Sequence, residues 1–218
     1  IELFKLCKQS CFFYLRNSIK MPLKADQILA LFPNPVLTPI LGEPDHESIR
    51  ILQKEVNTNL AAIPSNLGCG KKGLLCLNIS SAVYATISST AVVPPVNPKS
   101  APTPTDIAAC SSAKDIANLH ATHELSVKLY EEYCAADRLS VKLLCAAVDD
   151  IFISSLSDEH TGYASVTTKE IFQHLNDEYC EIDDVMLIEN QARISAAYDP
   201  NLPIETLWTQ ILEAVPYA

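Results

Sequence analysis

The glycine-containing loop SNLGCGKK, at residues 65–72, is the first segment whose residue types suggest chemistry. A lysine after a glycine-rich turn can present backbone amides and an ammonium group to a phosphate. The phosphate-binding loop G-x-x-x-x-G-K-[ST] needs Gly where Ser65 stands and a hydroxyl residue where Lys72 stands, so the magnesium ligand is missing. We interpret the segment as an exposed turn, in which Lys71 and Lys72 offer at most a weak contact to an anion or RNA.

The histidines and cysteines do not have the spacing of a metal site. His120 and His123 share a predicted helix, but Cys134 lies three turns away and no Cys-x-x-Cys pair completes a tetrahedral set. Cys69 lies in the glycine loop and Cys76 beyond it, and the six residues between them fit no common zinc spacing. We predict no metal site.

The acidic and hydroxyl residues are not arranged for catalysis either. General acid-base chemistry needs two carboxylates opposed across a cleft, whereas this chain has adjacent pairs: Asp149-Asp150, Asp158-Glu159 and Asp183-Asp184. No nucleophile motif surrounds the serines, and no Cys-His pair is placed for thiol chemistry. We therefore predict a non-enzymatic protein with no catalytic residues, no cofactor and no small-molecule substrate.

Composition indicates a folded, acidic protein. The chain is 48% hydrophobic and 19% charged, which excludes a disordered polymer. A formal net charge of -10 argues against a broad nucleic-acid surface, because neutralising phosphates requires clustered Lys and Arg. The 8 cysteines are scattered, no secretory signal is evident, and no apolar run approaches the ~20 residues that cross a bilayer. We expect reduced thiols, no membrane partner and a cytoplasmic location.

Three helix starts follow closely between residues 162 and 211. Thr167 and Glu170 form a T-x-x-E capping box, Asp183 can cap a second helix, and Pro203 suits the first turn of a third. Apolar residues recur at helical spacing after each start: Ile171, Phe172, Leu175, Tyr179; Val185, Ile188, Ala192; Ile204, Leu207, Trp208, Ile211, Leu212, Val215. This pattern predicts an all-α fold, a multi-helix bundle.

The rest of the chain is divided by prolines. We expect a leader at 1–20, upstream or disordered; an extended, Pro-rich arm at 21–44; and a helical domain from 45 to 218 that is incomplete at its C-terminus. Asp45 should cap the first helix of that domain, whose buried face is Ile49, Leu52, Val56 and Leu60.

Within this domain, three further segments are predicted. A short β-strand or hairpin is expected near 72–79, and a Pro-rich connector at 92–105. Residues 111–156 should form an αα-hairpin or kinked helix with its junction near Ala136-Asp137, and Ile151 belongs to its second apolar face.

The order of these segments resembles the Gag capsid region of copia-type LTR retrotransposons, particularly the diatom and algal branch. The resemblance rests on ILALFPNPVLTPILGEPDHESIRILQKEVNTNLAAI, KGLLCLNISSAVYATIS, VVPPVNP, GYASVTTKEIFQHLNDEYCEI and YDPNLPIETLWTQI. It implies a capsid-like helical protein that assembles with itself into a particle around the element's RNA. The zinc knuckle that binds RNA in such proteins lies in a further C-terminal segment, which this sequence lacks.

Two alternatives to an assembling capsid remain open from the sequence. The first is a host-adopted or decayed Gag-like module that acts as a monomeric interaction domain, and the second is a nucleotide-binding enzyme. If assembly is the function, the contact surface should consist of apolar side chains left outside the core, with Trp208, Tyr163 and Tyr198 as candidates. Each of these three rings is also explained by an ordinary position in the core.

Overall fold

The computed structural model describes residues 23–65, 67, 72–88, 90–103, 106–107, 112–180, 184–197 and 199–214. Eight α-helices lie within these ranges: α1 Ala25–Leu29, α2 His46–Ala62, α3 Ser81–Ser88, α4 Ala113–Ala147, α5 Asp150–Ile153, α6 Thr168–Tyr179, α7 Asp184–Ser195 and α8 Ile204–Ala214. The strand pairing of the described chain amounts to one isolated bridge, between Asp158 and Gly162. The predicted all-α class is confirmed.

The main core forms where α2, α6 and the C-terminal half of α4 meet. Leu52 of α2, Leu144 of α4 and Leu175 of α6 are each fully buried there. At the ~1.5–3 kcal/mol gained by burying each large apolar side chain, this cluster is the main source of stability in the described chain. A smaller cluster contains Leu75, Tyr84 and Val92.

The capping predictions for α2 and α6 are confirmed. The Asp45 carboxylate accepts the Ser48 N–H at 2.8 Å, and the Ser48 hydroxyl oxygen accepts the Asp45 N–H in return. Around α6, Thr167 Oγ1 accepts the Glu170 N–H, and the Glu170 carboxylate accepts the Thr167 N–H at 2.8 Å. These bonds satisfy donors that the first helical turn leaves unpaired, so the local sequence fixes where both helices begin.

The arm at 21–44 differs from the extended segment that was predicted. It contains α1, and its Ile28, Phe32, Leu37 and Ile40 are buried in the main core. Thr38 donates its N–H and hydroxyl to the Glu55 carboxylate at 2.8 and 2.6 Å, which fastens the arm to α2. Prolines end α1 early, but they do not prevent the intervening apolar residues from packing.

The predicted strand near 72–79 is wrong. Leu75–Leu77 form a 3₁₀ turn, in which the Leu77 N–H donates to the Leu74 carbonyl at 2.9 Å. The Leu74 N–H donates to Leu60 O at the end of α2, also at 2.9 Å. Because no partner strand pairs with this segment in the described chain, its amides are satisfied by tight turns and by the helix end.

The long helix α4 is continuous through the junction expected near Ala136-Asp137, so the αα-hairpin is wrong. At about 1.5 Å per residue its 35 residues extend for about 50 Å. Asp137 caps no new helix; its carboxylate accepts the Thr168 N–H at 3.0 Å. The break comes at Val148, after which Asp149 caps α5 and leaves Ile151 exposed at 72%, outside the predicted apolar face.

The Pro-rich connector carries no helix or strand over its described residues 91–103. It carries Val92 into the smaller cluster while Val93 and Val96 stay exposed. No helix in the described ranges is both long and apolar enough to span a bilayer.

We predict that Gly73→Ala destabilises the fold much more than Gly162→Ala. Both glycines have a positive φ, of 54° and 57°, which costs an L-residue roughly 1–2 kcal/mol. A Cβ at Gly73 would also lie 2.5 Å from Leu60 O, whereas nothing lies within 4 Å of one at Gly162. Urea unfolding followed by circular dichroism measures the difference, and equal losses in the two variants would contradict this close approach.

We also predict that the Glu170 cap makes stability depend on pH. Hydrogen bonds from the Thr167 N–H and hydroxyl lower the pKa of the Glu170 carboxyl below its ordinary 4.5. A lowered folded-state pKa stabilises the fold above the unfolded value and loses that contribution as the pH falls through 4.5 and below. Glu170→Gln should therefore reduce the drop in urea midpoint between neutral pH and about pH 4, while Glu159→Gln, at an exposed position, leaves it unchanged.

Candidate assembly surface

The helices α7 and α8 pair as an antiparallel hairpin. The buried Asn190 donates its Nδ2 hydrogen to Ala214 O at 3.1 Å, and Gln210 donates its Nε2 hydrogens to the carbonyls of Arg193 and Ala196. Because residue numbers rise along α7 as their partners fall along α8, the helices run in opposite directions. Polar side chains thus fix the register of this hairpin.

The helix α8 exposes a stripe of large apolar side chains. Ile204, Trp208, Ile211 and Leu212 are 51%, 61%, 39% and 68% exposed. Their spacing of 4, 7 and 8 residues places them on one helical face. We call these four residues the α8 stripe. Gln210 and Ala214, which form hydrogen bonds with α7 and its C-terminal end, are not part of this stripe.

Other large apolar side chains of the hairpin are exposed as well. They are Leu187, Ile188, Ile194 and Leu202. With the α8 stripe, they make up eight of the seventeen exposed large hydrophobic side chains among the described residues. Exposed apolar side chains concentrated in one segment indicate an interaction site on a soluble protein, so the hairpin is the strongest candidate for a contact surface.

The three aromatic residues that the sequence suggested for the contact surface differ in where the structure places them. Trp208 is 61% exposed, so its interpretation as a core tryptophan is wrong. Tyr163 packs against the main core and donates its hydroxyl to Asp150. Burial and this hydrogen bond raise the pKa of Tyr163 well above its ordinary range, as expected of a structural side chain. Tyr198 lies outside the described residues.

The glycine loop is only partly described. Lys71 lies outside the described residues, whereas Lys72 is partly exposed and its carbonyl accepts the Leu75 N–H at 3.2 Å. Gly73, with its positive φ, turns the chain back against the end of α2. Lys72 and Gly73 therefore belong to a turn, and the described residues of the loop give no direct support for an anion or RNA contact.

Potential metal ligands do not converge in the described ranges, where no group of three His, Cys, Asp or Glu could hold an ion. His120 is exposed and His123 half-buried on α4. Cys76, Cys134, Cys145 and Cys180 are free thiols. Burial raises the pKa of the Cys76 thiol, which disfavours the nucleophilic thiolate at this position.

The structure also changes the expected end and apolar face of α7. Asp183, the expected cap of α7, lies outside the described residues. The helix ends at Ser195, four residues before Asp199-Pro200, although a residue before proline is a typical helix boundary. Ile188, one of its regularly spaced apolar residues, is 67% exposed. At Asp199 the carboxylate instead accepts the Asn201 N–H at 2.9 Å, forming a turn between the helices.

The chain matches no family model, no curated protein and no solved structure.

We predict that Trp208→Ala changes the stability of the dilute protein by less than about 1 kcal/mol, because most of the indole is already exposed to water. Leu175→Ala, at a fully buried position of α6, should cost about 2–5 kcal/mol. Urea unfolding followed by circular dichroism compares them. A loss at Trp208 as large as that at Leu175 would mean that the indole belongs to the core.

Proposed function

We propose that this chain is a non-enzymatic, Gag-like capsid protein fragment of an LTR retrotransposon, and that it assembles with itself into a particle. The observation that carries the proposal is the α8 stripe. An apolar stripe of this kind is normally buried against another helix, and in the described chain it has no such cover. A second copy would supply the missing surface.

The contrast between α6 and α8 supports this proposal. In α6, Ile171, Phe172 and Leu175 also form an apolar stripe, and they are 0–2% exposed. In α8, the four residues of the stripe remain 39–68% exposed. Burying about half of each side chain would contribute roughly 1 kcal/mol per residue before the cost of association. Trp208, the largest of them, is the expected anchor.

The proposal assigns no chemistry to this domain. Packaging of the element's RNA belongs to a basic or zinc-knuckle segment that the resemblance places beyond this region. The acidic composition supports that division, because a net charge of -10 repels a phosphate backbone. The cytoplasm, where such particles would form, is the compartment that the proposal implies.

We predict that the protein associates as its concentration rises and that Trp208→Glu weakens this association by at least about tenfold, as for a central aromatic anchor. Light scattering over a concentration series measures the association, and negative-stain electron microscopy identifies particles. Val96→Glu is the control, because Val96 is 78% exposed and belongs to the Pro-rich connector, a different segment of the chain from the hairpin.

A wild-type chain that stays monomeric throughout this series would overturn the proposal. It would favour the monomeric, domesticated or decayed Gag-like interaction domain, for which the same apolar stripe would contact a different protein. Equal effects of the Trp208 and Val96 substitutions would instead show that the assembly does not use α8.

A further inference from the structure

A shallow groove lies where the C-terminal part of α4 passes the segment before α6. It has a volume of about 470 Å³, and Val141, Tyr163 and Val166 contribute apolar surface. Its charged lining residues are Arg138 and Lys142, which are both exposed and lie four residues apart on α4. This spacing places the two cations on the same face of the helix.

The carboxylates near this groove are engaged within the chain. Asp137 accepts the Thr168 N–H, Asp150 accepts the Tyr163 hydroxyl, and Glu170 accepts the bonds of the capping box. The described residues contain one ion pair within 4 Å, between Arg50 and Glu47. Arg138 and Lys142 are therefore available for an acidic partner from outside the chain.

The opposite end of α6 has the complementary charge. Asp177 and Glu178 are exposed in its last turn, where no basic residue offsets them and the helix dipole adds negative potential. Asp45 lies close to the same end. Burial is the main cause of the raised pKa of the Cys180 thiol, and the negative charge of Asp45 raises this pKa further. Asp177 and Glu178 lie nine and ten residues after Thr168, so this acidic end is about 14 Å from the start of the helix beside the groove.

We propose that the Arg138–Lys142 groove of one copy binds the acidic end of α6, at Asp177 and Glu178, of a second copy. The inference rests on the proposed self-assembly and names a contact for it. The two surfaces are different patches, so the contact is head-to-tail and leaves a free groove and a free acidic end for further copies. A nucleic-acid ligand is disfavoured because the whole chain is strongly acidic.

Charge reversal tests this contact. R138E/K142E should lower self-association at least tenfold at low salt, and D177K/E178K should do the same, because each makes the two surfaces alike in charge. An equimolar mixture of these two variants should associate again, as should a chain carrying all four substitutions. Sedimentation velocity measures the oligomers, and added salt should weaken the wild-type contact. The control K24E/K114E changes net charge equally at two exposed lysines elsewhere.

The outcomes separate this inference from the proposed function. If the reversals leave association unchanged while Trp208→Glu reduces it, the head-to-tail contact is wrong and the assembly proposal stands. If short, charge-sensitive oligomers form but no particle does, the contact stands and the capsid proposal is wrong. An absence of all association overturns both proposals. If R138E/K142E leaves self-association unchanged but abolishes binding of a single-stranded RNA, the ligand of the groove is a nucleic acid and not a second copy.

Discussion

The packing of the described chain depends on the C-terminal half of α4, which supplies a common surface for segments that precede it and segments that follow it in the sequence. Its small, buried Ala136, Ser140 and Ala147 allow neighbouring backbones to approach closely. The Ile40 N–H donates to Ala147 O at 2.8 Å, and the Thr168 N–H donates to Asp137, so both the arm and α6 are attached to this half-helix by hydrogen bonds. Leu144, which is fully buried in the main core, adds the apolar contribution. The Arg138–Lys142 groove lies beside the start of α6, and Asp177 and Glu178 lie at its other end. If α6 were not held against α4, these two surfaces would lose their fixed positions.

Features determined by neighbouring residues were predictable from the sequence, whereas those determined by distant packing were not. The caps at Asp45 and Thr167 involve atoms within three residues, so the sequence pattern was sufficient. The sequence left open whether residues 111–156 form a hairpin or one long, kinked helix, because the hydrogen bond of Asp137 joins it to Thr168, 31 residues away. The Leu75–Leu77 turn was mistaken for a strand because a short apolar run is equally compatible with either conformation.

The exposed face of α8 is another feature that depends on distant packing and could not be predicted from the sequence. The stripes of α6 and α8 have the same kind of periodicity, and only the three-dimensional arrangement distinguishes the buried Leu175 from the exposed Trp208. Arg138 and Lys142 carried a usable signal, namely two cations four residues apart, but the sequence does not reveal that nearby carboxylates are already engaged. Periodicity identifies a helix that has an apolar face, and tertiary structure determines whether that face is covered.

The two surfaces proposed for association should respond to salt in opposite directions. Copies with a net charge of -10 repel each other, and this repulsion opposes contact through the α8 stripe until salt screens it. The attraction between Arg138 or Lys142 and the acidic end of α6 is strongest at low salt and is screened by the same ions. Moderate salt should therefore favour apolar contacts while weakening head-to-tail contacts. Salt screens both the repulsion that opposes the apolar contact and the attraction that favours the head-to-tail contact. The direction in which association changes with salt therefore identifies the dominant contact. If assembly requires both contacts, association should be greatest at intermediate salt.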